Sequence, residues 1–103
     1  MAESVREFFE SIERRLDPSK TAGATASYRF DIDGAGSWHI DVDDGRVTVT
    51  ESEADADCVI QASEEHFARI IRGEANPMTA YMTGKLKVKG DVGLALKLKE
   101  FFF

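Results

Sequence analysis

Apolar and polar positions in this chain follow two periods, and the period changes at identifiable places. Val5, Phe8, Phe9, Ile12 and Leu16 recur at helical spacing, so the first segment is expected to be an amphipathic helix with one buried stripe. Ser4 with Glu7 three residues on has the form of a capping box, and Asp17-Pro18 is the expected stop, because a residue before proline avoids the helical region. "SKTAGATA" then reads as a loop. From Ser27 the period falls to two. In "SYRFDID" Tyr28, Phe30 and Ile32 alternate with Arg29, Asp31 and Asp33. In "SWHIDVD" Trp38, Ile40 and Val42 alternate with His39, Asp41 and Asp43, and in "RVTVT" Val47 and Val49 alternate with Arg46, Thr48 and Thr50. Each segment predicts a strand with one dry and one wet face. "GAG" joins the first two, and Asp44-Gly45 marks a tight hairpin with positive φ at both central residues.

A polar stretch, "ESEADAD", leads to a fourth strand, "CVIQA". Ser63 is placed to cap a helix carrying Phe67, Ile70 and Ile71, with Gly73 as its stop. Asn76-Pro77 starts another, with Met78, Tyr81 and Met82 on one face and Gly84 as its stop. "KLKVK" predicts a fifth strand with Leu86 and Val88 inward and Lys85, Lys87 and Lys89 outward. Asp91 then caps a last helix, "VGLALKLKEFFF". The order predicts an α+β fold: one mostly antiparallel five-stranded sheet, wet on one side, with helices gathered on the other.

At 103 residues the chain is expected to form one domain. Its net charge of −6 is unevenly placed. Residues 1–80 hold 8 basic and 17 acidic residues, whereas residues 81–103 hold 5 basic and 2 acidic ones. The acidic bulk argues against a nucleic-acid partner. The lysines of the closing segment read either as a solvated strand face or as a contact for anionic lipid or a ligand phosphate. No N-terminal leader pattern or membrane-spanning run is visible, and the one cysteine, Cys58, excludes an internal disulfide, so a cytoplasmic protein is expected.

Catalytic chemistry is hard to locate. His39 and His66 lack metal-ligand spacing, and the calcium-loop likeness of "DIDGAG" and "DVDDGR" fails on the positions of glycine and of the closing acid. Cys58 has no nearby base in sequence and is expected inside. No catalytic residue, metal or cofactor is therefore assigned. A buried carboxylate acting as general base would need an acid on an inward strand position, and the alternation turns Asp31, Asp33, Asp41 and Asp43 outward. What the second half does hold is a surplus of large apolar side chains. Leu94, Leu98 and Phe101 form one stripe of the last helix, and Leu96 and Phe103 widen it beyond what one buried face needs.

"NPMTAYMTGKLKVKGDVGLALKL" resembles the signature segment of the sterol carrier protein type 2 family. The proline-methionine helix, the "GKLKVKGD" strand and the leucine-rich last helix occur in the family's order, and the likeness extends over nearly the whole chain. This resemblance implies an apolar tunnel between helices and sheet that holds a sterol, fatty acyl chain or acyl-CoA, with no bond chemistry. It implies tunnel residues Phe67, Ile70, Ile71, Met78, Tyr81, Met82, Leu94 and Leu98. Phe101, Phe102 and Phe103 are expected as a lid over that site, with a dimer contact or a frayed end as the other readings. Some relatives end in a peroxisomal tripeptide; this chain ends in phenylalanines, so a stand-alone, microbial, cytoplasmic member is expected. Transient contact with an anionic membrane through Lys85, Lys87 and Lys89, and a monomer or weak dimer, complete that expectation. The alternative is a module without a ligand that docks a protein, or a second copy, on the apolar last helix.

Overall fold

The computed structural model describes residues 5–15, 19 and 22–102, and of Glu13, Arg15 and residues 98–102 the backbone alone. Four helices and five strands are found among them: α1 (Val5–Arg15), β1 (Thr25–Asp33), β2 (Gly36–Asp43), β3 (Arg46–Glu51), β4 (Cys58–Ser63), α2 (Glu64–Ile71), α3 (Pro77–Met82), β5 (Leu86–Gly90) and α4 (Val92–Phe102). The expected Ser4 cap, Leu16 and the Asp17-Pro18 stop lie outside the described residues. Ser19 has helical backbone and β1 begins at Thr25, so the expected loop is shorter than "SKTAGATA" at both described ends.

The sheet order is β3-β2-β1-β4-β5. β1 pairs antiparallel with β2 and parallel with β4; β2–β3 and β4–β5 are antiparallel. The mostly antiparallel α+β expectation holds. The β1–β2 and β2–β3 hairpins follow from their turns. Asp44 (φ 44°) and Gly45 (φ 87°) both take positive φ, as a two-residue hairpin requires. The β3-to-β4 connection has to pass β2 and β1, and it runs over the open face. Arg29 Nη1 donates to Glu53 O (3.2 Å), His39 Nε2 lies 3.2 Å from Asp55 O, and the Asp57 N–H donates to Ser27 Oγ (2.9 Å). The polar residues of the wet face therefore anchor the crossover.

Alternation places Tyr28, Phe30, Ile32, Trp38, Ile40, Val42, Cys58 and Ile60 in the core. α1 lays Val5, Phe8, Phe9 and Ile12 onto them. Phe9 is sandwiched: its ring stacks on Trp38 (4.5 Å, 11°) and on Phe67 of α2 (5.5 Å, 3°). Phe30 packs against both Phe9 (5.2 Å) and Phe67 (5.7 Å). Outside this cluster Arg6 bonds Glu51 (2.6 Å) and lies over the Trp38 ring, which clasps α1 to the end of β3.

α2 and α3 are short, and each of the later helices starts at a single capping side chain. Ser63 Oγ accepts from the His66 N–H, and Asn76 Oδ1 accepts from the Met78 N–H (2.8 Å) with Pro77 in the first turn. Gly73 and Gly84 (φ 77° and 79°) end α2 and α3. Asp91 Oδ1 accepts from Gly93 and Leu94 (2.9 and 3.3 Å) and starts α4.

Gly90 sets the direction of α4. Its φ is 89°, the Asp91 N–H donates to Asp57 O (3.0 Å), and a Cβ at position 90 would overlap that carbonyl oxygen. Gly90→Ala is expected to cost roughly 2–4 kcal/mol, from left-handed strain plus overlap with backbone. Chemical denaturation checks this, and amide exchange should show α4 loosened most.

Candidate functional site

One row of side chains crosses the inner face of four strands in register: Trp38, Phe30, Ile60 and Val88. Residue size falls along it toward the β5 edge. At the Trp38 end α1 presses two phenylalanines onto the sheet. At the Val88 end the cover is α3, six residues long, and the first turns of α4. Short helices over small side chains leave space, and a cavity of about 90 Å³ lies there.

Its floor is Phe30, Ile60, Leu86 and Val88. Phe67 and Ile70 of α2 form one wall. Pro77, Met78 and Tyr81 of α3 face Val92, Ala95 and Leu96 of α4 across the remainder. The lining is almost wholly carbon, and the Tyr81 hydroxyl is its one side-chain oxygen among the described residues. The side chains of α3 and α4 are also exposed: Met78 41%, Tyr81 42%, Val92 44% and Leu96 56%. The mouth therefore opens between α3 and α4, with an apolar rim.

Four of the expected tunnel residues, Phe67, Ile70, Met78 and Tyr81, lie on this cavity. Three are not among its lining residues. Ile71 and Leu94 are half-buried against the core, and Met82, the last residue of α3, is 78% exposed just before the turn at Thr83 and Gly84. The side chains of Leu98, Phe101 and Phe102, and all of Phe103, lie outside the described residues. Eight lining residues were not assigned to the site from sequence: the four of the floor, with Pro77, Val92, Ala95 and Leu96. The signal for Phe30, Leu86 and Val88 was present, since alternation already turned them inward. A space between helices and a sheet must have a floor.

Tyr28, one pair along β1 from Phe30, is fully buried and fastens the roof. Its hydroxyl donates to Leu94 O in the first turn of α4 (3.0 Å). Burial pushes the Tyr28 phenol well above its ordinary range, so it remains a donor. Cys58 is Tyr28's partner on β4 and is also buried; burial, helped by Asp91 and Asp57, pushes its thiol up to about 11, which leaves it unreactive near neutral pH. Among the described residues no group of three or more His, Cys, Asp or Glu could hold a metal ion.

The lysines occupy another side of the molecule. Lys87 and Lys89 pair across from Gln61 and Val59, so they project from the open face while Leu86 and Val88 enter the cavity. Lys85 stands at the α3–β5 corner, where its N–H donates to Ala80 O (2.9 Å). The acids of the open face stay outward, as expected. Asp31 is the most enclosed: it accepts from Arg29 Nε and Nη2 (3.1 and 3.2 Å) and from Ser37 Oγ (2.9 Å). Burial alone would raise its carboxyl, but these hydrogen bonds and the Arg29 charge outweigh burial, and the net shift is downward.

Comparison with known proteins agrees with this geometry. Residues 8–103 match the model of the SCP-2 sterol transfer family, and the chain belongs to that family. It is 36% identical over 103 residues to hydroxysteroid dehydrogenase-like protein 2 of Xenopus laevis, covering 96% of this chain and 25% of that protein. The chain thus spans about a quarter of the length of the curated relatives it matches. Among solved structures, apo sterol carrier protein 2 from Yarrowia lipolytica superposes with a TM-score of 0.69 at 30% identity, covering 93% of this chain and 90% of that one. The palmitated SCP2L2 of Aedes aegypti superposes with 0.75 at 26% identity, covering 95% and 93%.

Two outcomes follow. Tyr28→Phe deletes one buried hydrogen bond and should cost about 1 kcal/mol by urea denaturation, with faster amide exchange in the first turn of α4. Asp31 has a folded pKa below its unfolded value, so its stabilisation is present above the unfolded pKa and is lost as pH falls through the folded one. Asp31→Asn should therefore flatten the acid limb of the stability-versus-pH curve below about pH 4.

Proposed function

We propose that this chain is a non-catalytic carrier of lipid in the cytoplasm, holding a hydrocarbon chain in the cavity between α2, α3, α4 and the sheet. The observation that carries this reading is the cavity itself. It is apolar, its mouth is apolar, and among the described residues no carboxylate, imidazole or thiol lines it. Such a wall offers burial and nothing else. Each methylene taken from water gains about 0.8 kcal/mol, against the cost of ordering the chain. Micromolar affinity needs about 8 kcal/mol, or roughly ten methylenes, so the apolar rim of Met78, Tyr81, Val92 and Leu96 has to cover the length of chain that the cavity does not enclose. Methionine at the rim adapts to guests of different shape. The adaptable, unbranched guest in this reading is an acyl chain, free or as acyl-CoA, with a sterol-like molecule as the other lipid class. Membership of a sterol transfer family and the likeness to a palmitated neighbour support the lipid class.

The donor surface in this reading is an anionic membrane. Lys85, Lys87 and Lys89 are exposed, and among the described residues none has an ion-pair partner. No described helix is long and apolar enough to cross a bilayer, so contact would be peripheral.

The purified chain should carry lipid detectable by native mass spectrometry or extraction. Once stripped, it should bind a fluorescent fatty acid at micromolar concentration or below. Ala95→Phe fills the cavity from its roof and should weaken that binding about tenfold or more, with the melting temperature little changed. A chain that arrives empty and binds no acyl probe would remove the carrier reading.

A further inference from the structure

The inner end of the cavity is built differently from its mouth. Phe30 and Phe67 close it, and both rings are fixed from behind. Phe67 stacks on Phe9 at 5.5 Å and meets Phe8 edge-on at 5.9 Å; Phe30 meets Phe9 at 5.2 Å and Phe67 at 5.7 Å. Phe8 and Phe9 are themselves buried, so among the described residues the pair is backed by packed core. Every other stretch of lining is aliphatic, methionine, proline or the half-exposed Tyr81. A guest entering between α3 and α4 passes over Val88 and Ile60 and then meets two rings that cannot swing aside without breaking their contacts with Phe9.

Resting on the acyl-chain reading above, we infer that Phe30 and Phe67 are the specificity-determining stop of this cavity: they set the longest alkyl chain that can be fully buried. The physical consequence is a break in the dependence of affinity on chain length. While the tail still has floor to cover, each added methylene leaves water and tightens binding about fourfold. Once the terminal methyl touches the ring pair, further methylenes remain in the mouth among Met78 and Leu96, half in water, and the gain per methylene vanishes. Widening the mouth does not move the break; shortening the stop does.

The test is displacement of a fluorescent fatty acid from the delipidated full chain by straight saturated fatty acids from octanoate to stearate, below their critical micelle concentrations. The wild type should show a rise followed by a plateau. Phe67→Leu and Phe30→Leu should each move the start of the plateau to longer chains. Met82→Gln, off the cavity, should leave the plateau where it is. Affinity rising without a break to stearate in the wild type would overturn the stop while leaving the carrier reading intact. So would a plateau unmoved by both leucine variants. If no acid displaces the probe from the wild type, the acyl-chain reading fails, and the stop fails with it. The presence of a break is read from the wild type alone, and circular dichroism with the melting temperature checks that the leucine variants used to assign it to the ring pair are folded.

Discussion

The stacking of Phe9 between Trp38 and Phe67 is the contact on which the rest depends. It joins the first helix, the sheet and the second helix through three parallel rings, and it consumes the large side chains of the molecule on one half of the sheet. A domain of this size has few such residues. Once Phe8, Phe9, Phe30, Trp38 and Phe67 are committed there, the β4–β5 half must be covered by what remains. Among the described residues, what remains is the six-residue α3 and the first turns of α4 over isoleucine, leucine and valine. Among the described residues the aromatic rings fill one half of the sheet and the cavity lies over the other.

The open half is nonetheless held in place, by polar groups at its margins. Ser63, Asn76 and Asp91 each accept backbone N–H groups at a helix start, and Gly73, Gly84 and Gly90 turn the chain at the ends. Tyr28 reaches from the middle of the sheet to the first turn of α4. These bonds define where α3 and α4 sit without filling the space beneath them. They are local and directional, whereas dispersion contacts need bulk. A carrier benefits from this division: its roof stays in position while its interior is free for a guest.

The wet face answers a separate need. The sheet order obliges the chain to cross from β3 to β4 past two strands, and it does so over Arg29, His39 and Ser27. The charged residues that sequence reading treated as a solvated surface thus act as anchors for a crossover. The same alternation keeps their carboxylates away from the cavity. The lysines of β5 belong to this face too, so any membrane they meet lies beside the mouth rather than within it.

Most of the fold was legible along the chain. Alternation separated wet from dry on every strand, the Asp44-Gly45 turn marked its hairpin, and capping residues marked α2, α3 and α4. These signals are local: each is spoken by residues a few positions apart, and backbone geometry translates them directly. Four cavity residues, Phe67, Ile70, Met78 and Tyr81, were reachable by combining helical spacing with the family's pattern. The remainder required the tertiary structure. Tyr28 and Phe30 are indistinguishable by period, yet one bonds the roof and the other lines the cavity. What separates them is that β1 lies between β2 and β4, and that α1 and α4 meet the sheet at different points along it. Strand order and helix docking come from contacts between residues far apart in the chain. No periodicity records those, so the sequence determined which side chains turn inward and only the packed structure decided which of them touch one another and which face empty space.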